Sequence, residues 1–275
     1  MIGAGKNAVP NSPFEEADEH RPKEETRMDS GFFDMQTAKR IQQALLPKQP
    51  PEIPGYKMGY YYAPKKSVGG DYCDFIELDK KHLAIAVADV SGHGVSGALV
   101  AAQLRTFIRA EAERFTSPKD VVIRLNKMLY ETMPRNVFTT MIYMLLEIRK
   151  HRVTYINAGH PPLILKRAKT NQLEHLSHQS LPIGVDGGDR FKGKLAEGRI
   201  SLGVGDMLVA YTDGITEAKN PYNEDFKDSF YKLLAETSNR PWQEMAWFIM
   251  GALHSWTKKE AQDDDITLVS LRVTG

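Results

Sequence analysis

Four aspartate-bearing segments carry the chemistry this chain could perform: GGDYCD at 69–74, ADVSGHG at 88–94, TDGITEA at 212–218 and DDDIT at 263–267. Three of them stand where an apolar, β-rich run meets a glycine-rich or polar turn. Asp89 and Asp213 close such runs, and the 263–265 triplet opens one. A carboxylate at a strand end is held firmly and can face a cleft. Several carboxylates drawn from distant sequence suit a hard divalent cation such as Mg²⁺ or Mn²⁺, which takes oxygen ligands. The pattern predicts an acidic two-metal site that performs hydrolysis.

Any one of these aspartates alone reads as a turn residue, because Asp hydrogen-bonds nearby backbone. Their shared context changes the weighting. Asp71 follows Gly69 and Gly70, where backbone can approach a ligand closely. Asp263, Asp264 and Asp265 crowd three negative charges, which is costly unless solvent or a cation offsets them. In the functional reading, one member of the triplet is a ligand. His93, between two glycines, has little local packing of its own and is a candidate site residue. Ser91 lacks a G-x-S-x-G elbow. The VSGHGVSG run lacks both G-x-G-x-x-G and a Walker lysine, so nucleotide binding is poorly supported. His160 reads as a structural residue at a strand turn. Tyr60, Tyr61 and Tyr62 read as a strand with alternating faces.

The elements that must position these acids follow from periodicity. Residues 1–31 are polar and charged and read as a disordered leader or linker. Residues 32–46 have helical spacing, with Ala38, Ile41 and Leu45 on one face and Pro47 ending the run. The Pro-rich connector that follows extends to 55. From Tyr56 short β-rich runs begin. A helix is predicted over the VSGALVAAQLRTFIRAEAERF run, its face including Leu99, Ala102, Leu104, Phe107 and Ile108. A second helix is predicted over 118–132, with Pro118 in its first turn. A meander of strands comes next, with a hairpin turn near Lys150 and His151. Further strands are expected near 191–202 and 206–212, helices at 224–236 and 241–257, and a final strand in DITLVSLRV. Hairpins and meanders favour antiparallel sheet, and blocks of helix suggest covering layers.

Bulk properties narrow the function. With 36 basic and 35 acidic residues the net charge is +1, which gives no nucleic-acid footprint. One cysteine, Cys73, excludes an intrachain disulfide framework and fits a reducing compartment. No apolar run is long enough to span a bilayer and no signal-peptide core stands at the N-terminus, so a cytoplasmic location is expected.

The ordered series AKRIQQALLP, VGGDYCDF, ADVSGHGVSGAL, NAGHPP, LPIG, YTDGITEA and DDITL resembles the SpoIIE/RsbU branch of the metal-dependent PPM serine/threonine phosphatases, over roughly residues 36 to 273. The resemblance implies an α+β fold, an αββα sandwich of two antiparallel sheets flanked by helices. The phosphatase domain would then occupy 56–275, after the leader at 1–31 and a regulatory helix and connector at 32–55. It implies hydrolysis of phosphoserine or phosphothreonine by a water activated by two metal ions, Mn²⁺ or Mg²⁺. By position, Asp89 would bridge both metals, with the Val90 backbone carbonyl nearby. Asp213 and Asp264 would complete one metal, and Asp71 would serve the other. Asp265 is the adjacent alternative to Asp264. His93 is a candidate general acid, and Lys65 and Lys66 are candidates for binding the substrate phosphate. Many relatives carry Tyr at the position of Cys73, which reads here as a buried, inert thiol.

The same resemblance implies partners. Its usual substrate is a phosphorylated STAS-type anti-sigma-factor antagonist, which would make the protein a regulator in a partner-switching pathway. The helix at 36–46 would receive an activator or sensor domain, or pair with a second copy in a homodimer. A catalytically weak or inactive phosphatase-fold protein that regulates by binding partners is the rival reading; retention of all four carboxylate positions weighs against it.

Overall fold

The structure, a computed structural model, describes residues 23–92, 94–114, 117–178, 180–237, 239–258 and 262–275. The chain divides into two compact units, 1–37 and 38–275. Helix α1 spans Lys23–Leu45. It begins earlier than the residue 32 that the pattern predicts. Lys23, Glu24, Glu25 and Arg27 are good helix formers, and a polar helix has no apolar stripe to reveal it. The rest of the expected leader lies outside the described residues. The predicted face is also corrected: Ile41 is 58% exposed, whereas its neighbour Gln42 is buried.

The second unit holds the strands β1 (Tyr56–Ala63), β2 (Tyr72–Asp79), β3 (His82–Val90), β4 (Thr139–Glu147), β5 (Arg152–Ala158), β6 (Leu163–Lys166), β7 (Leu173–Leu176), β8 (Glu197–Ser201), β9 (Met207–Tyr211) and β10 (Ile266–Val273). They form two five-stranded sheets. One has the order β1-β10-β9-β6-β7 and the other β2-β3-β4-β5-β8. Every pairing is antiparallel, as the hairpin-rich sequence predicts. The β4–β5 turn falls at 148–151, where His151 adopts a left-handed conformation.

The helices are α2 (Val95–Ala112), α3 (Pro118–Thr132), α4 (Asp189–Lys194), α5 (Asp213–Thr216), α6 (Lys227–Thr237) and α7 (Trp242–Trp256). Ser117 caps α3 by accepting a hydrogen bond from the Asp120 amide, and Pro118 supplies the pre-set first turn. Residues 191–194, which the sequence places in a strand, belong to α4; β8 takes only the later part of that run.

Three apolar layers hold the sandwich together. Between the sheets, Cys73, Phe75, Val87 and Ile142 meet Leu163, Leu208 and Val269. Outside the second sheet, Leu104, Ile108, Val121 and Leu125 of α2 and α3 cover Ala86, Ala88 and Tyr143. Outside the first, Phe230, Leu234, Met245 and Ile249 of α6 and α7 cover Val209, Tyr211 and Leu268. Tyr60 faces the inner layer and Tyr61 the outer one, the alternation expected of a strand. The fold is the αββα sandwich.

Helix α2 keeps Leu104, Phe107 and Ile108 of its predicted face on the core but not Leu99. Leu99 is 68% exposed, while Gly97, Val100, Ala101, Leu104 and Ile108 are buried. The helix turns its small residues inward because its first turn lies in near-backbone contact with other segments. A Cβ on Gly97 would stand 2.3 Å from the Gly92 carbonyl oxygen and 2.9 Å from Gly70 Cα.

Candidate metal centre

Asp71 lies at the entry to β2 and is 1% exposed. Its Oδ2 accepts hydrogen bonds from two hydroxyls, Thr212 Oγ1 and Thr267 Oγ1, each at 2.7 Å. Those threonines belong to the other sheet, one following β9 and one in β10. They are tied to each other as well: the Thr267 amide donates to Thr212 Oγ1 at 2.8 Å. Thr212 Oγ1 has one proton, so it accepts from Thr267 and donates to Asp71. Asp71 therefore spans the two sheets. Burial, and then the charge of Asp89, push its carboxyl well above the ordinary value, while the two threonine bonds pull it down.

The acidic triplet before β10 divides its labour. Asp265 is buried and points back toward the GGD turn. Its Oδ1 accepts from the Lys65 amide at 2.7 Å and its Oδ2 from the Gly70 amide at 2.6 Å. The Asp71 amide stands at 3.4 Å from the same Oδ2. Asp264 is exposed, and its Oδ1 accepts from the Asp265 amide at 2.8 Å. Between Asp264 and Asp265, the second holds the GGD backbone, while the first is exposed and keeps one oxygen outside these hydrogen bonds.

Glycines bring these segments into contact. A Cβ on Gly69 would meet the Asp265 carboxylate at 2.4 Å, and one on Gly70 would meet the Val90 and Gly92 carbonyl oxygens at 2.9 Å. A Cβ on Gly214 would lie 2.0 Å from the Asp265 carbonyl oxygen and 3.4 Å from Asp264 Cβ. The Val90 carbonyl is thus beside the GGD turn, and Asp213 follows into α5 beside the 264–265 pair.

Asp89 occupies the second-last position of β3, opposite Thr140 of β4. Burial and the charges of Asp213, Asp264, Asp265 and Glu217 push its carboxyl up to about 7. Asp213, the first residue of α5, is pushed up to about 6 by burial and then by Glu217 and Asp264. Among the described residues none of Asp71, Asp89, Asp213, Asp264 and Asp265 forms a salt bridge. Asp89 links the predicted acids electrostatically, Asp71 on one side and Asp213 and Asp264 on the other, with Glu217 as an unpredicted member.

The other predicted residues divide. Lys66 is exposed, and its side chain reaches within 3.8 Å of where a Gly94 Cβ would stand, beside the loop that leaves Asp89. Lys65 meets the site through its backbone amide. His93 lies outside the described residues. Cys73 is completely buried between the sheets, and burial raises its thiol well above the ordinary range. Asp74, also in the GGDYCD run, is committed elsewhere: Arg109 of α2 grips both its oxygens at 2.7 and 2.8 Å. His160 is buried, its Nδ1 2.8 Å from Thr140 Oγ1, and Asn157 accepts from its amide.

Sequence reasoning passed over Thr212, Thr267, Glu217 and Gln42. Thr212 and Thr267 are polar residues at buried strand ends within TDGITEA and DDDIT, so a signal was present; Glu217 shares the TDGITEA motif but is exposed and follows α5. Gln42 carried no such signal.

The donor set can be tested against a divalent metal. Carboxylates and a backbone carbonyl are the hard oxygen ligands that Mg²⁺ and Mn²⁺ take. Burial, and then neighbouring acidic charge, raise Asp89 and Asp213 toward neutrality, and no salt bridge among the described residues offsets that charge. Among the described residues, no three acidic, His or Cys side chains converge on a single point. The fit is one of donor type and charge.

The comparisons with known proteins bear on the family and the fold. The family model described as Stage II sporulation protein E (SpoIIE) matches residues 79–274, which includes Asp89, Asp213 and Asp264 but not Asp71. Phosphoserine phosphatase RsbU of Bacillus subtilis is 29% identical over 87% of this chain and 70% of its own length. Phosphoserine phosphatase RsbP of the same organism is 29% identical over 57% of this chain and 39% of its own. Among solved structures, the SiaA-PP2C domain of Pseudomonas aeruginosa superposes with a TM-score of 0.75 at 20% identity, covering 91% of this chain and 98% of that one. The RsbU and RsbW domains of a Mycobacterium tuberculosis protein superpose with a TM-score of 0.72 at 25% identity, covering 84% of this chain and 63% of that one. With a family-model match over most of its length, and with the sandwich in place, this chain belongs to the SpoIIE family.

Proposed function

We propose that this chain removes phosphate from phosphoserine or phosphothreonine in a partner protein, using two divalent cations, Mn²⁺ or Mg²⁺. Its enzyme class, protein serine/threonine phosphatase, follows from family membership. The observation that carries the finer reading is the cluster of carboxylates without salt bridges: burial and then neighbouring acidic charge raise Asp71, Asp89 and Asp213, and no basic side chain among the described residues pairs with them. Asp71, Asp89, the Val90 carbonyl, Asp213 and Asp264 would hold the cations. When bound, these ions supply positive charge to the phosphoryl oxygens and acidify water.

The chain's own residues do the rest. Thr212 and Thr267 fix the orientation of Asp71 and favour its charged form. Asp265 holds the GGD backbone by accepting from Lys65 and Gly70. Lys66 stands at the rim, where its ammonium can meet the dianionic phosphate of an incoming phosphoserine. His93 is the proposed proton donor to the leaving serine oxygen.

The names of RsbU and RsbP, both phosphoserine phosphatases, support phosphoserine as the substrate class. On the same footing, we assign as substrate a phosphorylated STAS-type anti-sigma-factor antagonist in a partner-switching pathway, with α1 as the attachment point for an activator, a sensor domain or a second copy. A cytoplasmic setting is part of this proposal; among the described residues no helix is long and apolar enough to cross a membrane.

The test is Mn²⁺-dependent phosphate release from a phosphoserine peptide, with Asp89→Asn and Asp213→Asn alongside. Release that requires metal and disappears in both variants supports the proposal. Mn²⁺ binding without release from either a phosphopeptide or a phosphorylated STAS protein favours the inactive, partner-binding reading. Absence of Mn²⁺ binding rules out the metal mechanism.

A further inference from the structure

The last turns of α1 reach the site through a hydrogen-bond pair in which no acidic residue takes part. Gln42 is 8% exposed on a helix whose neighbouring Ile41 faces solvent. Its Nε2 donates to the Gly69 carbonyl at 2.6 Å, and its Oε1 accepts from the Gly69 amide at 3.1 Å. The Tyr62 hydroxyl donates to the same Oε1 at 3.5 Å. One carboxamide thus satisfies both backbone groups of one residue, as a neighbouring strand would.

Gly69 is the first of two consecutive glycines before Asp71. Such a pair has the greatest backbone freedom in the chain and no side chain with which to restrain itself. Its conformation has to be imposed from outside. Asp265 does so on one side, taking the Gly70 amide, and it also occupies the space that a Gly69 Cβ would need. Gln42 does so on the other. The helix that carries Gln42 is itself anchored, because Arg105 Nε of α2 donates to the Leu45 carbonyl at 2.8 Å. The chain of contacts runs from α2 to the end of α1, through Gln42 to the Gly69–Gly70 backbone, and so to Asp71.

We infer that Gln42 is a positioning residue for the metal centre: its carboxamide fixes the Gly69–Gly70 backbone and thereby sets how strongly the Asp71 side of the site holds a divalent cation. The inference rests on the phosphatase reading above and deepens it. It requires an amide in particular, because a donor and an acceptor must be offered together to one residue. Met fills similar space and offers neither. Glu offers the acceptor alone.

The experiment uses the full chain and follows Mn²⁺ binding directly, by the electron paramagnetic resonance signal of free Mn²⁺. Wild type, Gln42→Met, Gln42→Glu, Asp71→Asn and the Gln42→Met/Asp71→Asn double variant are titrated, with the melting temperature of each measured without metal. Changes in groups that orient metal ligands typically weaken binding about 10–100-fold, and Gln42→Met is expected at the lower end, roughly tenfold. Gln42→Glu falls between it and wild type. In the Asp71→Asn background, Gln42→Met adds no further weakening, because the ligand through which it acts is already altered.

A residue that only anchors the helix would lower the melting temperature and leave Mn²⁺ binding as in wild type; that result overturns the inference. So does an equal tenfold loss in the presence and absence of Asp71. Should Gln42→Met not fold, the Gln42→Glu titration decides, and wild-type affinity there overturns the inference. If the wild type itself binds no Mn²⁺, the phosphatase reading fails and this inference with it. A wild type that binds and Gln42 variants that bind equally well leave the phosphatase reading standing alone.

Discussion

Asp264 and Asp265 are adjacent, chemically identical and separated in role by their hydrogen bonds, so exchanging each for Asn should give opposite results. In Asp265 the two oxygens serve two different amides, Lys65 at 2.7 Å and Gly70 at 2.6 Å. An Asn has one acceptor oxygen, so one of those amides would face an NH₂ group instead. Hydrogen bonds to a charged group contribute about 1.5–3 kcal/mol, and the surviving bond would lose its charge assistance. The sum is a loss of about 3 kcal/mol, made costly by the 4% exposure of the residue. At about 2–4 °C per kcal/mol for a domain of this size, the metal-free melting temperature should fall by about 6–12 °C. Asp264→Asn keeps the oxygen that accepts from the Asp265 amide, and it removes a charge that faces Asp89 and Asp213. Its metal-free stability should stay within about 0.5 kcal/mol of wild type while Mn²⁺ binding is lost. Differential scanning fluorimetry without metal, paired with a Mn²⁺ titration, reads both. Equal destabilisation by the two substitutions, or Mn²⁺ binding that survives Asp264→Asn, would refute the division of roles.

Two further outcomes follow from the same geometry. Asp89 and Asp213 are raised from 3.8 to about 7 and about 6, so between pH 4 and 7 the folded chain holds protons that the unfolded chain releases. Stability of the metal-free protein should therefore fall as pH rises through that window, and saturating Mn²⁺ should reverse the slope; a flat metal-free profile in urea melts would contradict the proposed crowding of charge. Arg109→Met keeps the apolar stem but leaves Asp74, 1% exposed, with Tyr72 and Phe75 as its donors among the described residues. Because the Arg109 side chain is itself 42% exposed, the cost is discounted to about 2 kcal/mol. It should appear as a lower urea midpoint at unchanged slope, and an unshifted midpoint would show that solvent or another group already satisfies Asp74.

The sequence made the sandwich and its acids legible for different reasons. Strand periodicity is local, so runs such as HLAIAVADV and DITLVSLRV declared themselves, and β3 and β10 lie where those runs stand. The acids were visible because charge at the end of an apolar run is conspicuous. What stayed hidden depended on partners far along the chain. Ile41 looks like a core residue and Gln42 like a surface one until Gly69, 27 positions away, is placed beside them. Leu99 looks inward-facing until Gly97 is seen against Gly70 and Gly92. The choice between Asp264 and Asp265 needed to know which carboxylate meets the GGD amides. The true start of α1 was concealed because its first residues, KEETR, are all polar and leave no stripe in the pattern.

The close glycine contacts around the acids have a consequence for mutational surveys. At Gly69, Gly70, Gly97 and Gly214 the neighbouring chain leaves no room for even one carbon. Substitution at these positions will silence the protein as thoroughly as loss of an aspartate, although glycine brings no functional group to the reaction. A screen scored by activity alone would rank spacers and ligands together. Metal affinity measured on each folded variant is what sorts the atoms that hold the ions from the empty space that lets them be held.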